Sequence, residues 1–524
     1  MRRKRKIVVV FSLLFALATS ANAQSKGKPS GALTPLEQRA SLNLEAARSN
    51  PLQLRNFLLH MPKGSDLHNH LYGAIYAETW IRDAAEDHLC LDPSAIRGIK
   101  AVYSAGEGNS PKCGSDKIPA ADVFKDQHLY DDLIDAFSMR GFVPSSGVTG
   151  HDQFFRTFDR FRGVSERHLG EWLDEIASRA GRQNEQYIEL MHTPDFHHAA
   201  AFGYEIGWQD DLAKFRRQLL SKGLAEDIAT AKSALDEAEA QRARQEHCGQ
   251  PDTSAGCKVE IRYLCQVLRG FPKEQVFAQT IFCFELAMAD PRYVGINFVM
   301  PEDSYISMTD YALQMRMVGY LHSVYPKVHI SLHAGELTPG LVPYEGLCCH
   351  IRQAVEMAGA ERIGHGADVL YEEHPHELLR ELASKHIMVE INLTSGDMIL
   401  GIDGKNHPFP LYRQFGVPVS LSTDDEGVSR IDMTHEYVRA VETFDLKYID
   451  LKQMVRTGVE HAFLPGPSLW ATPDKFTVPV AACAHEPLGT DKPSASCAMF
   501  LKSSEKAQQQ WELDRRFHEF EAAL

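Results

Sequence analysis

Between about residue 64 and residue 425 the chain repeats one alternation eight times, a short apolar or alternating run followed by a longer stretch of other character. The runs are GSDLHNHL (64–71), QYIELMHT (186–193), EIRYLCQVL (260–268), YVGINFVM (293–300), KVHISLHAG (327–335), RIGHGAD (362–368), IMVEINLT (387–394) and PVSLSTDD (418–425). Helix-like connections lie between them, as at 208–246, 306–325, 346–359 and 374–385. Strands separated by helices pair in parallel, because each needs a crossover to return beside its neighbour in the same direction. Eight such units fit a closed barrel, with an open doubly wound sheet as the competing arrangement. Counting runs does not decide between the two; the class expected is α/β, a TIM (β/α)8 barrel spanning 61–465.

The rest of the chain is organised around that frame. The interval from Tyr72 to Glu185 is too long for one crossover and predicts an insertion at about 74–185 with several helices, its part from Cys90 to Lys117 reading as loop. Residues 24–60 form an extension that is Ser-, Gly-, Lys- and Pro-rich to about Thr34 and helical in pattern from Pro35 to His60. The Ala-, Glu-, Lys-, Gln- and Arg-rich segment 209–247 reads as one extended surface helix. A C-terminal extension, 466–524, begins irregularly and closes on a helix around Ser503 to Ala523.

The first residues, MRRKRKIVVVFSLLFALATSANAQ, carry a basic head, an apolar run and small residues at a cleavage site. They read as a signal peptide, 1–23, which predicts a secreted or periplasmic protein. Losing Arg2, Arg3, Lys4, Arg5 and Lys6 takes the formal charge from -15 to about -20. So acidic a chain is not expected to bind nucleic acid through its phosphates. No later segment reads as a membrane span. Export permits disulfides, and Cys90 with Cys113, Cys248 with Cys257 and Cys483 with Cys497 are the expected loop staples. Cys265, Cys283, Cys348 and Cys349 lie in apolar segments and read as buried thiols.

Several runs end in groups able to bind a metal or move a proton. HNH supplies His68 and His70, HAGE supplies His333 and Glu336, GHG supplies His365, and TDD supplies Asp424 and Asp425. The carboxyl ends of all strands in a parallel barrel share one face. Residues separated by one on a strand point the same way, so His68 and His70 can aim at one centre. Three imidazoles and a carboxylate suit a borderline cation such as zinc, and an open position makes such a site catalytic. Each motif alone is weak; the second HxH, His374-Pro375-His376, reads as surface at a helix start.

In this order the motifs HNH, HAGE, GHG and STDD resemble the adenosine deaminase family of zinc-dependent aminohydrolases. The stretch MPKGSDLHNHLYGA (61–74) resembles that family's secreted, growth-factor-type branch, and the likeness runs from about Leu52 to Leu464. The resemblance implies one Zn2+ per chain and hydrolytic deamination of adenosine or 2'-deoxyadenosine to inosine or deoxyinosine, releasing ammonia. It implies His68, His70, His333 and Asp424 as ligands, and Glu336 as the group that protonates ring N1. His365 would orient the attacking hydroxide and help take its proton, and Asp425 would hold that hydroxide or accept a hydrogen bond from a purine nitrogen. Substrate contacts would come from Tyr72, Met300 and Glu302. The expected partner is a small purine nucleoside, and a homodimer is compatible with the sequence.

Three departures bear on the substrate. Where the family's first motif places an aspartate that contacts ribose, this chain has Tyr72. After the fourth run, NFVMPED (297–303) replaces the family's Asp-Leu-x-Gly pattern but keeps Glu302, and NLTSGD replaces its Ser-Asn while keeping Ser395. The alternative readings are a deaminase of another aminopurine compound and a secreted signalling or binding protein that retains the fold. A two-metal barrel hydrolase would need a mid-barrel lysine, absent from GINFVM, and the smaller cytidine-type deaminases would need a PCxxC motif, absent here. Asn392-Leu393-Thr394 matches a glycosylation sequon, but its place in a buried run argues against use.

Overall fold

The computed structural model describes residues 33–93, 103–104 and 113–524, so the leader at 1–23 lies outside the described residues. Eight strands follow one another round a single sheet: β1 Gly64–His70, β2 Glu185–His192, β3 Glu260–Leu268, β4 Tyr293–Val299, β5 His329–Ala334, β6 Arg362–His365, β7 Met388–Ile391 and β8 Val419–Leu421. Every neighbouring pair is parallel. The ring closes between β1 and the end of β8, where Asn69 bridges Asp424. There His70 N donates to Asp424 O at 3.1 Å and Asp424 N donates to His68 O at 2.8 Å. This closure rules out the open sheet and builds the barrel that the eight runs predicted.

The three last strands are shorter than their apolar runs, because the chain turns into loops and helices at the barrel mouth. Asn392 already caps helix Leu393–Leu400 and is buried, which takes the sequon off the strand while leaving it inaccessible. Inside the barrel, Leu67, Tyr187, Met388 and Leu464 pack as one apolar layer. Arg362, fully buried, lies between two acids, 2.6 Å from Glu189 and 2.7 Å from Glu390. An unpaired guanidinium there would be costly, so the two carboxylates fix its place.

Local chemistry divides segments that periodicity alone left continuous. Residues 35–60 form two helices, Pro35–Ala47 and Pro51–His60, because Asn50 accepts from the backbone of Leu52 and Gln53 and Pro51 starts a new helix. The predicted long surface helix is also two, Leu212–Leu220 and Leu224–Gln245, broken at Gly223, whose φ of 113° suits glycine. The insertion contains helices Ala77–Glu86, Gln127–Ala136, Gly150–Phe161 and Leu169–Arg182. Its Cys90–Lys117 part is not loop alone, since Cys90–Leu91, Tyr103–Ser104 and Ile118–Pro119 pair as a small antiparallel sheet. Helices Ala495–Lys502 and Glu505–Ala523 end the chain.

The three expected loop disulfides are present. The reading of the other four cysteines as thiols is corrected, because Cys265 pairs with Cys283 and Cys348 with Cys349. Cys265 on β3 faces the helix Lys273–Ala289 that packs on it, which brings the two Cα atoms to 5.5 Å, within disulfide reach. Among the described residues no helix is long and apolar enough to cross a membrane.

Candidate active site

The carboxyl ends of β1, β5, β6 and β8 bring His68, His70, His333, His365 and Asp424 to one point. Ligating atoms of His68, His333, His365 and Asp424 all lie within 4.8 Å of one another. His70 joins them through Asp424, its Nε2 being 3.2 Å from Oδ1. The structure thus gathers every expected ligand and draws His365 in as a fifth member, with its Nε2 4.0 Å from Asp424 Oδ2. Both His365 and Asp424 have left-handed backbones, with φ of 68° and 61°. For residues other than glycine this conformation is costly and is held only by the surrounding structure.

Three imidazoles are turned inward by the partner each has behind it. His68 Nδ1 meets Glu390 at 2.7 Å, His70 Nδ1 meets Gln266 at 2.8 Å, and His333 Nδ1 meets Asn297 at 2.7 Å. Each ring therefore presents Nε2 to the centre, the arrangement by which outer partners fix the tautomer and aim of metal-binding histidines. Glu390 is itself fixed, accepting from Ser331 Oγ at 3.0 Å and from Arg362 Nε at 2.7 Å. Ser395 donates to Asp424 Oδ2 at 2.6 Å. Glu390 and Gln266 were missed in the sequence, although Glu390 is the one polar residue of its strand.

Two glycines make room for this packing. A Cβ on Gly364 would come within 2.5 Å of His68 Cε1, and one on Gly73 within 1.5 Å of Asp425 Oδ1.

The donor set fits a divalent cation of the zinc class. His68 Nε2 is buried with no hydrogen-bond partner, 3.4 Å from Asp424 Oδ1. Burial works against a charge on His68, yet the Asp424 and Glu390 carboxylates facing its two nitrogens push it up to about 10, so the centre favours positive charge. Burial also opposes the Asp424 anion, but the His68 and His70 imidazoles beside it hold it well below the carboxylate range. Burial drives His333 far down, aided by the neighbouring imidazoles. It also takes His365 to about 3, partly offset by Asp424. A neutral His333 and an ionised Asp424 are the states a metal requires of its ligands, and a cation at the centre would take the place of the proton that the two carboxylates hold on His68.

Beside this centre stand the proton-handling groups. Glu336 Oε1 is 3.7 Å from His365 Nε2. Burial, then the charges of Asp424 and Glu302, push the Glu336 carboxyl well above its ordinary range, which keeps its proton near neutral pH. Burial likewise pushes Asp425 up to about 8, with His70 drawing it back and Asp424 adding to the rise. Asp425 Oδ1 has no hydrogen-bond partner.

The three expected substrate contacts are placed differently. Glu302 is buried and spent on the protein: it accepts from Gly335 N at 3.1 Å and Glu336 N at 2.8 Å, and meets His350 Nδ1 at 2.5 Å. It therefore positions Glu336. Met300, with a left-handed φ of 88°, lays its thioether over Gly270, where a Cβ would come 2.8 Å from Cε. Its carbonyl accepts from Arg269 Nε at 3.3 Å, while Arg269 Nη1 reaches His333 O at 3.4 Å, so this buried arginine ties the ends of β4 and β5. Tyr72 donates its phenol to Glu166 Oε1 at 2.6 Å.

Similarity to known proteins agrees with this geometry. Residues 148–474 match the family model described as adenosine deaminase. An adenosine deaminase of Clostridium perfringens is 29% identical over 168 residues, covering 32% of this chain and 43% of the relative, so the match spans under half of that protein's length. Among solved structures, the N6-methyl-AMP deaminase from Arabidopsis thaliana superposes with a TM-score of 0.51 at 20% identity, over 78% of this chain and 94% of that one. An amidohydrolase from Burkholderia ambifaria with bound Zn gives a TM-score of 0.50 at 16% identity, over 84% of this chain and 91% of that one. With a family match over more than half of its length and a barrel of the same fold, the chain belongs to the adenosine deaminase family.

Proposed function

We propose that this protein is a zinc-dependent aminohydrolase that converts adenosine or 2'-deoxyadenosine to inosine or deoxyinosine with release of ammonia. The observation that carries the reading is the inward aim of three imidazoles and Asp424 beside a carboxyl, Glu336, that burial keeps protonated. His68, His70, His333 and Asp424 would hold the metal, one per chain. A cation there supplies the Lewis acidity that makes water a nucleophile near neutral pH.

The chain's own residues do the rest. Glu336 gives its proton to ring N1, so that electrons displaced from the attacked C6 are accommodated on the ring. His365, neutral and 3.7 Å from Glu336, takes the proton that water must lose. Asp425, with an unpartnered oxygen against Gly73, holds the attacking oxygen or a purine nitrogen. Glu302 and His350 keep Glu336 in place through its backbone amide. The amino group then takes the proton from His365 and leaves as ammonia, and the C6 hydroxyl gives its proton back to Glu336 as the ring's conjugation is restored.

The leader sequence, together with the Cys90–Cys113, Cys248–Cys257, Cys265–Cys283 and Cys483–Cys497 disulfides, supports an exported protein, secreted or periplasmic. A second reading, deamination of another aminopurine compound, draws support from the likeness to an N6-methyl-AMP deaminase. Ammonia release from adenosine, deoxyadenosine, adenine and AMP, with zinc content measured on the same sample, separates them. The proposal expects turnover of adenosine or deoxyadenosine at about one zinc per chain. Turnover of adenine or AMP alone would move the protein to the second reading, and bound zinc without ammonia from any of the four would overturn deamination of all of them.

A further inference from the structure

The barrel mouth beside His70 carries acidic groups for which the deamination chemistry has no use. Tyr72 follows β1 by two residues and donates to Glu166 Oε1. Glu166 begins the turn Glu166–His168, which leads into helix Leu169–Arg182 and so down to the start of β2. It therefore stands at the carboxyl-end face, where the metal-binding groups also lie. Asp87 clamps this turn, accepting from Ser165 N and Arg167 Nε at 2.6 Å each and meeting His168 Nε2 at 3.1 Å. The Tyr72 ring rests edge-on against Trp172, 5.8 Å between centroids, and Trp172 is anchored to Asp83. A rigid hydroxyl thus holds a rigid but exposed carboxylate.

A second acid stands on the same face of the barrel. Asp195 lies three residues beyond β2, at the carboxyl-end face that Glu166 also borders. The segment bearing it is coupled to the metal-binding centre, since Thr193 Oγ1 accepts from Gln266 Nε2 at 2.8 Å and Gln266 Oε1 meets His70 Nδ1. Of the neighbouring basic groups, Arg167 is paired with Asp87, while His197 Nδ1 meets Asp195 itself at 2.5 Å.

We propose that Glu166, positioned by Tyr72, determines specificity: its carboxylate accepts a hydrogen bond from a hydroxyl of the sugar and, with Asp195, turns away a substrate that carries a phosphate. The insertion between β1 and β2 thereby selects neutral nucleosides over nucleotides. This rests on the reading of the site as an aminopurine deaminase.

The test measures dissociation constants for adenosine and AMP by calorimetry, with ammonia release and metal content, on the wild type, Glu166→Gln, Tyr72→Phe and Asp195→Asn. The wild type should prefer adenosine. Glu166→Gln should narrow the adenosine-over-AMP ratio by about 10–100-fold, the range for a hydrogen bond to a charged group. The change should fall in KM rather than kcat, at wild-type metal content. Tyr72→Phe, which keeps the ring on Trp172, should move the ratio the same way by less, and Asp195→Asn should do so through charge alone. A ratio unmoved by both acid substitutions, a wild type that prefers AMP, or one that binds neither compound would overturn the proposal. Selective binding without ammonia would overturn the deaminase reading and leave the selection by Glu166 standing.

Discussion

Glu390 shows how far the chemistry of this site depends on residues that would never touch the substrate. It carries one negative charge into the barrel, shared between the His68 imidazole and the Arg362 guanidinium. Replacing it with glutamine should weaken metal binding by about 10–100-fold, the usual effect of losing such a partner, readable by competition with a chromogenic chelator. Unchanged affinity would mean that His68 is oriented by packing alone. The inner residues were legible because ligands cluster in short motifs at run ends, where spacing and order carry information. Their partners were not, because Glu390, Gln266 and Asn297 meet His68, His70 and His333 only after the strands close, from positions 322, 196 and 36 residues away in sequence. The role of Glu302 was misplaced for a related reason: its motif is retained, but only the folded loop shows its carboxylate bound to the Glu336 and Gly335 amides.

At the scale of elements, the strand ends do the positioning. β1 supplies two histidines and also makes the hydrogen bonds that close the barrel on Asp424, so the closure and the site are the same few residues. Gly364 on β6 lets the His68 ring lie close against the strand. Gly364→Ala should force the ring away, lowering metal content and costing about 1–3 kcal/mol of stability, as overpacking does. Metal analysis and chemical denaturation check both, and full metal occupancy at unchanged stability would contradict the packing described. Strand number and order were readable from apolar runs bounded by turns. Helix continuity was not, because periodicity at 35–60 and 209–247 runs across the breaks that Asn50 and Gly223 impose. The Cys265–Cys283 pairing escaped for the same reason as the outer partners, since it joins a strand to the helix that folds back on it.

For the whole molecule, the barrel gathers groups from residue 68 to residue 425 onto one face, and the insertion adds Glu166 to the rim of that face. The likeness to the adenosine deaminase family was legible from four motifs in one order. The wall around them was not, because the insertion has no motif of its own and its contacts with Tyr72 depend on how its helices fold over β1 and β2. The central claim is that metal binding and proton donation belong to different residues of this one centre, and that Glu336 performs only the second. Metal content and ammonia release from adenosine, measured side by side for the wild type and Glu336→Gln, test it most directly. The account predicts about one zinc per chain in both proteins and turnover lower by about 10²–10⁴ or more in the variant, the scale of a lost general acid. Zinc lost from the variant, or turnover retained at full zinc, would contradict it.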